Sequence, residues 1–544
     1  MKNKADIIFY DGSVITVNNR NEICSSIAVK DNKILDVGTD DYIREYESDK
    51  TKTFYLDGRT VVPGFIDAHM HFTEICMIES GIIIPIRHVK SIDEIKEIIY
   101  EEVKRKKPGE WILLTGYDHN KLKEKRHPTI RELDEAAPDN PLQCQRICNH
   151  MSVFNSAALK KAGIDKNTEF KRPDEVDIDE YGNLTGLFKS ASQYMITDDV
   201  SISGEIYEKS FSIGERLMHK NGITSIHDMG AGMSNTGRNI MQDEILSGKL
   251  KLRAYMTFCS LASRDKGLKA LDNMVELGPH TGIGNEWYKM GPVKLLLDGS
   301  TSGPSSYMKS PYSHDKKLKG IQNFKSQKEL NDALFKAYKE GFQITAHAVG
   351  DGAVEQIVTA YEFIREKSDA KEFSGRRMRI EHSGFTNEDL IERMKSLSVV
   401  VISNPAFITI NGSDYIRYYG ERTEKMFAHR SYQNSGIREG FGSDCPVSYP
   451  NPMHGIYGAV MRKDIKRGDV CGQSQKIDIL DAVRCYTYNN AYASFEENIK
   501  GSLEKGKLAD IAVLSDNILN CDKEHIKDIE IDMTMIDGKF VYLK

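Results

Sequence analysis

A chain of 544 residues is too long for one minimal domain and leaves room for two or three. Its composition is that of a soluble globular protein, 40% hydrophobic and 28% charged, and a formal net charge of -6 offers no basic footprint for nucleic acid. No apolar run reaches the roughly 18 residues of a membrane span, Met1 to Asp6 lacks a signal-peptide core, and the 9 dispersed cysteines, without a C-x-x-C pair, point to a reducing cytoplasm.

Short β-type segments open the chain: Asp6 to Tyr10, Ser13 to Val17, Ser26 to Lys30, Lys33 to Val37 and Thr53 to Leu56. Asp510 to Leu514 and Met533 to Val541 have the same texture. Together they predict a composite β-sandwich from residues 1–60 and 505–544. Between these ends, apolar segments alternate with amphipathic helices, the pattern of a parallel α/β architecture over residues 61–504. Eight candidate strands follow: Phe65 to His71, Ile223 to Asp228, Leu252 to Phe258, Val293 to Asp298, Gln343 to His347, Met378 to His382, Val399 to Ser403 and Glu439 to Asp444. Eight strands close a (β/α)8 TIM barrel, and most of these end on Asp, His or Ser, at the barrel face where catalytic groups sit. The interval from His71 to Ile223 far exceeds one crossover helix. Elements such as Trp111 to Gly116 and Pro141 to Arg146 predict an inserted α/β subdomain over residues 75–205, lying across the barrel mouth.

The chemistry starts at Pro63-Gly64-Phe65-Ile66-Asp67-Ala68-His69-Met70-His71. Residues i and i+2 of a strand share a face, so His69 and His71 can converge on a cation such as Zn²⁺. Alone the pair is a weak pattern. Later strands add His347, His382 and Asp444 at their ends, and Lys294 inside the apolar run Val293 to Leu297. A lysine buried in a barrel is held towards its neutral form. A neutral amine can take up CO₂ to become a carbamate whose two oxygens bridge two cations. Equally, Lys294 can snorkel outward or pair with Asp298; position leaves both open.

The motifs VVPGFIDAHMHF, GYDHN (116–120), NHMSVFNSAAL (149–159), VKLLLDGS, AHAVGDGAV, RIEHSGF, FGSDCPVSYPNPMHGIYGAVMRK and GSLEKGKLADIAVL run in order along nearly the whole chain. In them the chain resembles the metal-dependent amidohydrolase superfamily, in its YtcJ-like, N-substituted formamide deformylase-like branch. The resemblance implies that His69 and His71 hold a first, more buried metal. Carboxylated Lys294 would bridge to a second, held by His347 and His382, and Asp444 would contact the first metal and the nucleophilic water. One or two divalent ions per chain, Zn²⁺ by preference, and a CO₂-derived carbamate on Lys294 are the implied cofactors.

A water activated by such an ion reaches a pKa near about 7, and Asp444 is the residue to take its proton and pass it to a leaving amine. The bland alternative for Asp444 is a helix N-cap. Tyr117, Asp118, His119 and His150, from the insert, and Asn404 are the expected substrate contacts, with a fold-stabilising role an equal alternative for His119. Asp228 is expected to support the ligands, His227 to be packed, and Cys445 to be a buried structural thiol. The chain departs from its relatives at Asn149 (where they carry Gly), Ser190 (Glu) and Asn404 (Gln), all substrate-side positions. No phosphate-binding or dinucleotide spacing is present, so ATP and NAD are not expected. The expected activity is hydrolysis of a C–N bond in a small N-acyl, N-formyl or cyclic amide. The alternatives are deamination, C–C hydrolysis or decarboxylation at the same metal site, or a non-catalytic assembly module. A small-molecule substrate, no nucleic acid, no membrane and the default of a homodimer complete the expectation.

Overall fold

The computed structural model describes residues 3–147, 150–170, 173–197, 200, 202–230, 234–261 and 264–544. Eight parallel strands form its centre: β1 (Phe65–Met70), β2 (Ile223–Asp228), β3 (Arg253–Met256), β4 (Val293–Leu296), β5 (Ile344–Ala348), β6 (Arg379–His382), β7 (Val400–Ser403) and β8 (Arg438–Phe441). Neighbours pair in parallel from β1 through β3 and from β4 through β8. The ring closes where Asp444 N donates to His69 O at 2.7 Å and His71 N to Cys445 O at 2.8 Å. The molecule is therefore a TIM barrel, with its strands in the expected order.

Strands three and four are shorter than their sequence spans suggest. β3 pairs with Tyr288–Met290, and the separate piece Cys259–Leu261 pairs with β4. Gly291 and Pro292 break the fourth strand because proline cannot donate to the ladder. Gly291 N instead bonds Met256 O at 2.7 Å, holding the two halves in line.

The outer barrel wall is aliphatic. Val293, Leu295, Ile344 and Ala346 pack beneath Leu330, Leu334, Ile357 and Tyr361 from the helices Gln327–Lys339 and Asp351–Glu366. Parallel strands covered on both faces need such near-continuous apolar runs. The inner wall is different. His227, Lys294, Thr345, Arg379 and Glu381 are all buried, so the barrel is filled by a charged network beneath its mouth.

Residues 84–189 add a six-stranded sheet ordered Val176–Ile178, Leu184–Lys189, Met151–Phe154, Leu142–Arg146, Ile112–Tyr117 and Ile84–Pro85. It reaches the barrel's C-terminal loops: Arg87 donates to the carbonyls of Pro446 and Val447, and fully buried Arg146 to Ser302 O at 3.4 Å. At the other end of the barrel, Ile511–Leu514, Ile531–Ile536 and Lys539–Leu543 share a sheet with Thr60–Pro63, Ser13–Ile15 and Ile23–Cys24. Arg253 at the start of β3 clamps this sheet through Asp510, at 2.7 and 3.1 Å. No helix among the described residues is long and apolar enough to cross a membrane.

Candidate metal centre

The ligand-type residues meet at the C-terminal rim of the barrel, and the backbone is bent to bring them there. His382, Ser383 and Asp444 adopt φ of 70°, 46° and 54°. Left-handed backbone at non-glycine residues costs about 1–3 kcal/mol each and persists where the surroundings impose it, commonly at functional sites. Gly442 lets β8 approach His69 closely, since a Cβ there would stand 2.6 Å from His69 N.

Asp444 Oδ1 lies 3.3 Å from His69 Nε2 and 3.2 Å from His71 Nε2. The ring of His382 is 4.7 Å from that of His69, and ligand atoms of His69, His382 and Asp444 all fall within 4.8 Å of one another. His347 packs edge-on against His382 at 4.4 Å. Its Nε2, however, is turned to Gly299 O at 3.1 Å and Asp298 Oδ1 at 3.4 Å. Lys294 is 6% exposed and sits in the field of Glu381 and Asp444. The structure thus gathers His69, His382 and Asp444 about one point, brings His71 onto Asp444, packs His347 edge-on against His382 and buries Lys294.

The snorkelling alternative for Lys294 fails on this burial. Pairing with Asp298 fails as well, because Asp298 accepts the amide N–H groups of Tyr307, Val349 and Gly350 at 2.9, 3.0 and 2.8 Å. Burial pushes the Lys294 ammonium down to about 8, against the pull of Glu381 and Asp444. It also pushes His382 down to about 3 and His347 well below its usual range, keeping both imidazoles neutral, the form that binds metal. Burial alone would raise Asp444, but His69 and His71 outweigh it and hold the carboxyl well below its usual range.

Two residues orient the histidines. Glu381 Oε2 lies 2.6 Å from His69 Nδ1, which directs Nε2 at the centre; its other oxygen accepts from Arg379 Nε at 2.8 Å and from Thr345 Oγ1. Glu381 is fully buried, yet Arg379, His69 and Lys294 together outweigh burial and keep it ionised. Asn404 was expected at the substrate. Its Oδ1 instead lies 2.6 Å from His382 Nδ1 and its Nδ2 donates to Gly442 O at 2.9 Å, so the amide is spent on holding His382.

The substrate-side expectations separate in the same way. His150 belongs to the centre, its ring 5.4 Å from that of His347, and burial pushes it down to about 4. Tyr117 does not: it is fully buried in the insert's core, with its hydroxyl 2.6 Å from His127 Nδ1. Asp118 and His119 serve Arg146, at 3.0 Å to its Nη2 and 3.1 Å to its Nε, and His119 also stacks on His127 at 4.2 Å. That guanidinium, which links insert to barrel, is a residue sequence reasoning missed. Asn149 lies outside the described residues, as does the side chain of Ser190. Asp228 accepts from the amides of Phe72 and Gly230 at 3.0 and 2.7 Å, fixing the turn after His71. His227 Nδ1 is 3.1 Å from Arg379 Nη1 inside the barrel. Cys445 is fully buried, and burial raises its thiol well above the usual range, which leaves it inert.

Neutral His347 and His382, an ionised Asp444 wedged between the Nε2 atoms of His69 and His71, and a buried lysine lowered to about 8 form a donor set that fits a divalent cation. Barrel and rim constellation together define a TIM-barrel protein with a candidate divalent-metal centre at its C-terminal rim. The chain belongs to the amidohydrolase family, whose sequence pattern matches residues 52–542. It is 26% identical to YtcJ of Bacillus subtilis (strain 168) over 546 residues, covering 99% of each chain. To the N-substituted formamide deformylase of Arthrobacter pascens it is 27% identical over 558 residues, covering 100% of this chain and 99% of that one. Among solved structures, an uncharacterized metal-dependent hydrolase from Pyrococcus horikoshii OT3 superposes with a TM-score of 0.74 at 25% identity, over 95% of this chain and 99% of that one.

Proposed function

We propose that the chain hydrolyses an amide-type, non-peptide C–N bond in a small N-acyl, N-formyl or cyclic amide substrate. The observation that carries this is Asp444, an ionised carboxylate at the barrel mouth with one oxygen 3.2 to 3.3 Å from two imidazole nitrogens. A divalent cation, for which we propose zinc, supplies Lewis acidity towards a carbonyl and lowers the pKa of water towards about 7. His69, His71 and Asp444 would hold one ion, and His347 and His382 a second, after His347 turns from Gly299.

Lys294 would supply the bridge. Its neutral Nζ would take up CO₂ through a new N–C bond, releasing one proton to solvent, and the resulting carbamate would offer the ions two anionic oxygens. Asp444 accepts the proton of the attacking water and returns it to the nitrogen of the leaving amine as the C–N bond breaks. His150, neutral above pH about 4, stands over His347 as a hydrogen-bonding group for the substrate's polar end. The likeness to an enzyme named for N-substituted formamides supports the amide class.

The test is a screen of zinc- and manganese-loaded protein over N-acyl amino acids, N-formyl amines and cyclic imides. Cyclic imides should open to one molecule carrying both a carboxylate and an amide; the others should release amine and carboxylate in equal amounts. Ammonia or CO₂ as the product would reassign the centre to deamination or decarboxylation. Less than about half an equivalent of metal after loading would sink the enzymatic reading.

A further inference from the structure

Arg379 is fully buried inside the barrel, where a guanidinium persists only if its donors are met. Each of its nitrogens has its own acceptor. Nε donates to Glu381 Oε1 at 2.8 Å, Nη1 to His227 Nδ1 at 3.1 Å and Nη2 to Ala68 O at 2.8 Å. Glu381 stands on β6 beside Arg379 itself, His227 on β2 and Ala68 on β1. β6 pairs with β5 and β7, so the contacts to β1 and β2 cross the barrel interior. One planar, rigid group therefore ties separate walls of the barrel together.

The tie closes on both sides of one metal-ligand histidine. Glu381 presents its other oxygen 2.6 Å from His69 Nδ1, and Ala68 is the residue before His69. Arg379 thus grips the support of the imidazole and the backbone that carries it. His227 bears a cost for the same arrangement. Accepting from Arg379 at Nδ1 leaves its proton on Nε2, which is buried with no partner among the described residues. An unmet buried donor destabilises, and here it accompanies an acceptor placed for Arg379.

We propose that Arg379 is a positioning residue for the metal centre: by holding Glu381 and the Ala68 carbonyl together, it fixes the angle at which His69 presents Nε2 to an ion. This rests on the metal centre of the proposed function and not on the reaction assigned to it.

The test is zinc affinity of the full chain by chelator competition, with a thermal melt of each variant beside it. Arg379→Lys keeps the charge and loses the fork. It should stay folded and bind zinc about tenfold more weakly, the low end for a residue that acts on a ligand through another. Because Arg379 works through Glu381, the double variant with Glu381→Gln should match Glu381→Gln alone to within about twofold. Arg253→Lys controls for general loosening. That arginine is as deeply buried and is clamped to Asp510, so its replacement should lower the melting temperature and leave zinc affinity unchanged. Should Arg379→Lys fail to fold, His227→Ala decides: it frees one arm of the guanidinium and should weaken zinc binding. Unchanged affinity in the folded variant, losses that multiply in the double variant, or an equal loss in Arg253→Lys would each overturn the proposal, as would an unaltered chain that binds no zinc. Zinc bound without hydrolysis of any amide would sink the hydrolase reading and leave Arg379 in its role.

Discussion

Replacing Glu381 by glutamine tests how the centre is built. The carboxylate serves four neighbours at once: His69 Nδ1 at 2.6 Å, Arg379 Nε at 2.8 Å, Thr345 Oγ1, and Lys294 through its charge. Glutamine keeps the volume, removes the charge, and turns an amide donor towards a group that is itself a donor. Arg379 has 0% exposure, and its remaining contacts, to His227 and to Ala68 O at 2.8 Å, are neutral. Stripping one partner from a buried ion pair costs about 3–5 kcal/mol. Retained hydrogen-bonding shape puts Glu381→Gln near the low end, about 3 kcal/mol, which a domain with about 5–15 kcal/mol of stability survives. The larger consequence falls on His69. Without the carboxylate its tautomer and ring angle are no longer fixed, and zinc affinity should fall by about 10- to 100-fold. A chelator competition titration reads this directly, beside a thermal melt that confirms folding. Turnover at saturating zinc should recover most of the way, because Glu381 touches neither substrate nor the attacked carbonyl. A folded Glu381→Gln protein with unchanged zinc affinity would refute the orienting role.

Asp444→Asn should keep most of its metal while losing about 10²- to 10⁴-fold in kcat, read with any substrate from the screen; undiminished turnover excludes proton transfer by Asp444. Lys294→Ala should be inactive and regain turnover with added short carboxylates, which supply the two missing oxygens; failure of every carboxylate argues against a bridging carbamate. The lysine is lowered to about 8 and is protonated below that value, so at a fixed concentration of dissolved CO₂ carbamate formation in metal-stripped protein should accelerate as pH rises through 8 and level off above it, as followed by ¹³C NMR with labelled CO₂. His150, lowered to about 4, is neutral across pH 5 to 8, so His150→Asn should lower kcat/KM without moving the acid limb of the pH profile. A shifted limb would show that His150 titrates in the working range.

The barrel was legible because its outer wall obeys a simple rule. Apolar runs bounded by turns mark strands covered on both faces, and ligand-type residues at their ends mark the mouth. Where the rule loses force, so did the sequence. Lys294 could be placed inside the barrel or outside it from position alone, and only the amides filling Asp298 show that the lysine has no partner there. Glu381 was overlooked because strand alternation assigns it and His382 to opposite faces. The φ of 70° at His382 breaks that alternation, so both adjacent side chains serve the same centre, one as ligand and one as its support. A signal was nonetheless present: Arg379 and Glu381, two residues apart, place opposite charges on one face of a strand whose neighbours are aliphatic, and such a pair survives burial only if something else needs it. Tyr117, Asp118, His119 and Asn404 are each committed to a protein partner, the fold-stabilising role that for His119 was an equal expectation. Polar residues near a mouth read as substrate contacts, but here each is engaged by His127, Arg146 or His382, and short-range sequence carries no trace of partners up to 28 positions away. Of the five expected contacts, two reach the centre: His150 beside His347 and Asn404 against His382. Asp118 and His119 hold Arg146, which in turn donates to Ser302 O at 3.4 Å, so the polar residues that drew attention in the sequence help join the insert to the barrel.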